Sequence, residues 1–329
     1  MSITEKIFST GTDAGFDQLA LEVFAYQFEH NKVYQEYVKA MGKKAEDVKH
    51  MEDIPFLPVS FFKTHNVVCG EDAPETTFTS STTGGGEASK HMVKDLSIYK
   101  ESFRKGFAHF YGHSKDYCIL ALLPSYLERS GSSLVYMAED LVENSSDKRS
   151  GFYIHNYKEL AEKLNVHEKE GKKVLLLGVT YALLKLAEEY PMPLKHTIVM
   201  ETGGMKGKHK ELPKQEVHEL LKKGFALDVV HSEYGMTELL SQAYSKGNGI
   251  FNCPPWMRVM IRDIYDPLNV GLKNTSGAIN IIDLANIYSC SFIATDDVGV
   301  VHDNGSFEVS GRIDYSDIRG CNLMVDDIL

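Results

Sequence analysis

The chain has 329 residues, 43% of them hydrophobic and 25% charged, with a formal net charge of −11. That length buries one large domain or two ordinary ones, and the composition excludes disordered and collagen-like classes. The acidic balance argues against broad nucleic-acid binding, which needs basic surface. Cys69, Cys118, Cys253, Cys290 and Cys321 are scattered and form no C-x-x-C pair. The spacing argues against a zinc site or a thioredoxin-like motif and suits reduced thiols in a cytoplasmic protein. The polar start, residues 1–11, lacks the apolar stretch of a signal peptide. No run approaches the length of a transmembrane helix.

In chain order, Thr12 to Ala40 reads as helical, because Phe16, Leu19, Ala20, Val23, Phe24 and Phe28 recur at helical spacing. The prolines of Ile54-Pro55-Phe56-Leu57-Pro58-Val59 exclude a long helix there. Thr77-Phe78-Thr79 is a short β-favouring run. It leads into a segment from Thr79 to Lys90 that gathers the hydroxyls of Ser80, Ser81, Thr82 and Thr83, the glycines Gly84 and Gly85, and Lys90. Glycines let backbone N–H groups approach an anion. Hydroxyls donate further bonds, and Lys90 adds a compact positive charge. The G-x-x-x-x-G-K-[ST] spacing of a Walker loop is absent. A flexible Ser/Thr/Gly linker remains the alternative reading of this composition.

Ser97 to Phe110 reads as a helix capped by Ser97. Apolar runs and helical patterns then alternate. Strands are expected at Cys118–Leu123, Val174–Val179, Thr197–Met200 and Leu227–Val230, and helices at Tyr157–Glu170, Tyr181–Glu189 and Pro213–Lys223. This order predicts an α/β fold whose parallel sheet is covered by helices. From about Ile261 the pattern becomes rich in strands and turns, as in a smaller β-subdomain.

Three further segments carry chemistry. His231-Ser232-Glu233-Tyr234-Gly235-Met236-Thr237-Glu238 follows the fourth expected strand, where ligands of open α/β sheets bind. Tyr234 suits stacking on a base, Thr237 a phosphate, and Glu238 Mg²⁺; ordinary strand-to-helix capping is the alternative. Ala294-Thr295-Asp296-Asp297-Val298-Gly299 offers a carboxylate for ribose hydroxyls, or simple turn chemistry. Gly311-Arg312-Ile313-Asp314 offers a guanidinium, which suits phosphate, ribose or a surface ion pair.

Together these ordered segments resemble the adenylate-forming superfamily of acyl- and aryl-CoA synthetases, adenylation domains and luciferases. Thr79 to Lys90 is similar to its T-S-G-T-T-G-x-P-K loop, with Ser89 in the proline's place. Gly203-Gly204 resembles the glycine pair beside the adenine. Tyr234 to Glu238 matches Y-G-x-T-E, with Gly235 as its glycine. Thr295-Asp296-Asp297 resembles T-G-D, with Asp296 in the glycine's place, and Gly311 to Asp314 resembles the G-R-x-D hinge. Cys253-Pro254-Pro255-Trp256, the short tail after Asp314, and Arg319-Gly320-Cys321 are similar to the acyl-protein synthetases of bacterial bioluminescence, the long-chain-fatty-acid–luciferin-component ligases.

The resemblance implies an adenylating core at residues 1–310, helical over 1–75, and a truncated tail at 311–329 in place of a lid domain. It implies ATP and Mg²⁺ as cofactors and a fatty or other carboxylic acid as substrate. A reductase or other acyl-acceptor protein is the implied partner. Lys90, Thr237, Glu238, Arg312 and Cys321 are the implied catalytic residues, with Glu238 as metal ligand. Ser80, Ser81, Thr82, Thr83, Gly84, Gly85, Gly203, Gly204, Tyr234, Gly235 and Asp297 are the implied nucleotide-binding ones. Cys321, two residues from Arg319, is the implied acyl acceptor, and cations favour thiolate. A compact acyl- or aryl-CoA ligase and a non-catalytic nucleotide binder are the competing readings.

Overall fold

The computed structural model describes residues 2–80, 87–123, 131–153, 156–203 and 212–313. Of the sequence-derived site residues, Ser81, Thr82, Thr83, Gly84, Gly85, Gly204 and Cys321 lie outside the described residues.

The chain opens with three helices, α1 (Ile3–Ser9), α2 (Asp13–His30) and α3 (Lys32–Ala40). The expected single helix over Thr12 to Ala40 is divided at Asn31. Asn31 accepts the Tyr34 N–H at 3.0 Å through Oδ1 and donates to the Ser289 carbonyl at 2.8 Å. An Asn side chain competes with the helical backbone, so it ends one helix and caps the next. Next come β1 (Leu57–Pro58), α4 (Phe61–Thr64), β2 (Thr76–Thr79) and β3 (Lys90–Val93). Strands β2 and β3 pair antiparallel, with Thr79 opposite Lys90. Lys90 therefore opens a strand rather than ending a loop.

Helix α5 (Leu96–Tyr111) is capped by Asp95, which accepts the Ser97 N–H at 2.8 Å. Ser97, the expected cap, is the second helical residue, because the aspartate two residues earlier already satisfies its N–H. There follow β4 (Cys118–Leu122), α6 (Ser133–Glu143), β5 (Gly151–Phe152), α7 (Tyr157–Glu170), β6 (Val174–Val179), α8 (Thr180–Glu189), β7 (Thr197–Thr202) and α9 (Lys214–Phe225). Strands β4 and β6 are buried along their whole length, which is why they read as continuous apolar runs.

The fourth expected strand is β8 (His231–Tyr234), not Leu227–Val230. Ala226 leaves α9 in the left-handed conformation, φ 49°, and the Leu227 N–H bonds back to the Lys222 carbonyl at 3.1 Å. Leu227 thus closes the helix, and the strand starts four residues later.

The remaining strands are β9 (Ala243–Ser245), β10 (Ile250–Asn252), β11 (Met257–Arg262), β12 (Val270–Leu272), β13 (Gly277–Asp283), β14 (Phe292–Val301) and β15 (Phe307–Arg312). The β-rich part begins at β9, earlier than Ile261, and continues the parallel sheet. Thirteen strands form one sheet in the order β12-β11-β13-β14-β15-β10-β9-β8-β7-β6-β4-β5, with β1 added parallel to β14. Neighbours from β5 to β8 are parallel, and those from β8 to β12 antiparallel. One apolar core runs beneath both parts, from Ile7 and Phe24 to Phe292 and Phe307. Among the described residues no helix is long and apolar enough to cross a membrane.

Candidate functional site

Strands β6, β7 and β8 end together. Val179 lies opposite Thr202, and Thr202 opposite Glu233. In open α/β sheets ligands bind beyond such carboxyl ends. The Thr202 hydroxyl donates to the buried Glu233 carboxylate. Gly203 follows with φ 71°, and its carbonyl accepts the Thr180 hydroxyl at 2.6 Å. That left-handed turn is one a glycine takes without strain.

After Tyr234 the chain does not enter a helix. It reverses into β9, with Tyr234 opposite Ala243. Gly235 permits the turn, because a Cβ there would stand 2.5 Å from Glu233 Oε1. The Tyr234 hydroxyl donates to Asp297 Oδ2 at 2.7 Å, and Arg312 Nε donates to Asp297 Oδ1 at 3.2 Å. The sheet imposes this meeting. Asp297 on β14 lies opposite Arg312 on β15, and β10 and β9 bridge β15 to β8. The Asp297 N–H is in turn held by Thr295 Oγ1 at 3.1 Å. Burial, followed by the Asp297 charge, pushes the Tyr234 phenol well above its ordinary pKa. It therefore stays a donor. The Arg312 side chain is 80% exposed and that of Asp297 12%, so the pair runs from the interior to the surface.

Glu238 is 5% exposed. Burial raises its pKa, against a hydrogen bond from Ser89 and the charges of Lys63 and Arg312. Ser89 is the residue in the superfamily proline's place, and its N–H donates to Ser80 Oγ at 2.9 Å. One serine thus ties the start of the hydroxyl loop to Glu238. Lys90 is exposed at the head of β3.

His91, next to it, is fully buried. Its Nδ1–H donates to the Thr237 carbonyl at 2.8 Å, and its Nε2 lies 2.9 Å from Asn286 Oδ1. Asn286 Nδ2 donates to the Glu238 carbonyl at 2.7 Å and to the Cys290 carbonyl at 3.0 Å. The backbone of Thr237 and Glu238 is therefore pinned to the Lys90 hairpin. Burial lowers the His91 pKa to about 4, although its bond to the Thr237 carbonyl opposes this.

A second buried acid, Glu201, stands behind the turn. Lys214 Nζ is 2.9 Å and His218 Nε2 3.6 Å from its Oε1. Burial raises its pKa, but His218, Lys214 and Ser232 together outweigh that and hold it at about 2.

The fold thus brings together Tyr234, Gly235, Thr237, Glu238, Asp297 and Arg312, with Ser80 joined to them through Ser89. Sequence reasoning noted Ser89 only as standing in the proline's place, and passed over His91, Asn286 and Glu233. A cue existed only for Glu233, which adjoins the Tyr-Gly-Met-Thr-Glu run.

Comparison with known proteins follows the same lines. The family described as Acyl-protein synthetase, LuxE, matches residues 11–329. The long-chain-fatty-acid–luciferin-component ligase of Vibrio harveyi is 22% identical over 331 aligned residues, covering 93% of this chain and 86% of the relative. The ligase of the same name from Aliivibrio fischeri is 24% identical, covering 95% and 88%. Among solved structures, 2-hydroxyisobutyryl-CoA ligase in complex with its acyl-AMP superposes with TM-score 0.68 at 13% identity, over 92% of this chain and 69% of that one. ATP-bound MatB from Rhodopseudomonas palustris gives 0.55 at 14% identity over 72% of this chain, which spans 47% of that protein's length. At these identities the structures show a shared fold.

Proposed function

Because the chain belongs to the family Acyl-protein synthetase, LuxE, we propose that it activates a fatty carboxylate with ATP and passes the acyl group to its own Cys321. Activation by ATP is the chemistry of the family and fits the adenylate-forming fold. In the first step a carboxylate oxygen attacks the α-phosphorus of ATP. The bond to pyrophosphate breaks, giving acyl-AMP. In the second, the Cys321 thiol loses its proton to solvent, and the thiolate attacks the acyl carbonyl. The carbon–oxygen bond to AMP breaks and a thioester forms. The thioester then serves a reductase or another acyl-acceptor protein.

The observation that carries the nucleotide half is the Tyr234–Asp297–Arg312 knot at the carboxyl ends of the strands. Each Asp297 oxygen accepts one protein bond there and retains a lone pair. Two such lone pairs on one carboxylate suit the two hydroxyls of a ribose. Arg312 holds the carboxylate in orientation and adds positive charge near the phosphates. The hydroxyl loop and Lys90 act as donors to charge that develops on the transferring phosphoryl group. Glu238, a buried carboxylate with no ion-pair partner among the described residues, is suited to hold Mg²⁺, which supplies charge neutralisation on the polyphosphate.

ATP–pyrophosphate exchange measured across a panel of carboxylates tests the reading. Exchange should depend on a long-chain acid, and the intact protein should gain a hydroxylamine-labile acyl mass. Exchange with no carboxylate specificity would sink the fatty-acid assignment. Accumulation of a CoA thioester with no protein adduct would replace self-acylation by a CoA-ligase reaction.

A further inference from the structure

At the other end of the sheet, where β4 begins, a second group of reactive side chains meets. Cys118 Sγ, a carboxylate oxygen of Asp147 and a ring nitrogen of His167 all lie within 4.8 Å of one another. The three come from separate elements: the first residue of β4, the connection before β5, and α7. No sequence spacing announces them. His167 is fully buried, and neither Nδ1 nor Nε2 has a hydrogen-bond partner. Such a group costs folding free energy unless a partner fills the gap. Cys118 is 2% exposed, and its Sγ accepts the Ser150 hydroxyl at 3.7 Å.

We propose that Cys118, Asp147 and His167 form a binding site for a divalent zinc-class cation, separate from the adenylation site and independent of its assignment. Thiolate, imidazole and carboxylate are the donors zinc prefers, at about 2.0–2.3 Å from the ion. Placing them around one ion draws the side chains together by about 1 Å. Asp147 has the capacity. Its Oδ1 accepts from the Arg149 backbone and Nε, both within 3.0 Å, and its Oδ2 accepts Arg149 Nη2 at 2.7 Å, with Lys172 Nζ at 4.0 Å as an ion-pair neighbour. One lone pair on Oδ2 therefore remains. The Arg149 fork holds the carboxylate in orientation, as outer partners of metal ligands do.

On the ligands alone charge balances: a 2+ ion with one thiolate and one carboxylate is neutral, and the thiol proton leaves to solvent on binding, while Arg149 and Lys172 beside Asp147 keep the surroundings positive. Cys118 and Asp147 line a cavity of about 540 Å³ whose rim carries Lys115, Lys148, Lys172 and Lys173. The cavity is an entry path, and its basic rim suits water or a small anion in the fourth position.

The test uses untagged, full-length protein stripped with a chelator and dialysed. Titration with Co²⁺ should give one tight equivalent and a thiolate-to-cobalt charge-transfer band in the near ultraviolet. Zn²⁺ should displace the cobalt and raise the unfolding temperature. Cys118→Ser should abolish the band, and His167→Gln should weaken binding at least ~100-fold, more than loss of an outer partner costs. Asp147→Asn, nearer the surface, should weaken it with the fold intact, and it serves where either buried variant fails to fold. Absence of uptake by the wild-type protein would overturn the site. So would a bound metal lacking the thiolate band, or binding undiminished in Asp147→Asn and His167→Gln.

Discussion

Asp297 is the residue on which the nucleotide reading turns, because from β14 it bonds to side chains of β8 and β15. Asp297→Ala removes the ribose acceptor and leaves Tyr234 and Arg312 without their partner. Bonds to charged groups contribute about 1.5–3 kcal/mol, so KM for ATP should rise at least ~10-fold, with a smaller change in kcat. Steady-state exchange kinetics at varied ATP read this directly. An unchanged KM would remove Asp297 from the site. Tyr234→Phe, which leaves the carboxylate in place, should have the milder effect. Glu238→Gln keeps the shape and loses the charge. The half-saturating Mg²⁺ concentration for exchange should increase by an order of magnitude, roughly the effect of one ligand lost. A Mg²⁺ titration identical to that of the wild type would move the metal elsewhere. Glu238→Gln should not disturb the fold, because the backbone at Glu238 is held by Asn286 rather than by its own side chain.

Helices and strands are held by polar ties as well as by the core, and two of them give measurable stability effects. Gln27 of α2 is fully buried. It donates to the carbonyls of Asn286 and Ile287, both at 3.0 Å, and accepts the Ser291 N–H at 3.0 Å. Gln27→Ala strands these groups in the interior, and chemical denaturation should show a loss of about 2–4 kcal/mol. The ion pair of Glu201 with α9 gives a pH dependence. Its folded pKa, about 2, lies below its ordinary 4.5, so the stabilisation is present above pH 4.5 and is lost as pH falls toward 2. Glu201→Gln should flatten that acid limb of stability, and denaturation midpoints measured down the pH range will show whether it does.

The same ties mark what the sequence could and could not reveal. Strands β4 and β6 were legible because buried parallel strands are apolar throughout, and β7 by its apolar middle, Ile198 to Met200. Helices α7 and α9 were legible by their period. Helix α6, though Leu134, Val135, Ala138, Leu141 and Val142 recur at helical spacing, and strand β8 were not assigned; β8 spends its side chains on polar work and reads as a loop. The motif segments stood out singly, and only the sheet shows that Tyr234, Asp297 and Arg312 touch. His91 and Asn286 left no sequence signal, since the His91 contacts span 146 and 195 residues.

For the molecule as a whole, the two half-reactions should be separable. Cys321→Ser should retain long-chain-acid-dependent pyrophosphate exchange and lose the hydroxylamine-labile acyl mass. A thioester persisting on another cysteine, such as Cys253, would refute Cys321 as acceptor. Loss of both activities would assign the tail a structural role. The parallel pairing of Leu57 with Ile293, and the bonds from Gln27 to residues 286–291, also bear on how the protein is made. The first helices finish synthesis long before the strands that complete their packing exist. Contacts that distant in sequence make folding slow. While the ribosome works through the middle of the chain, α2 carries a polar side chain and an apolar face with no native partner. Such surface invites aggregation, so the yield of active protein in a cell should depend on chaperones that shelter the emerging N-terminal third until residue 293 has cleared the exit tunnel.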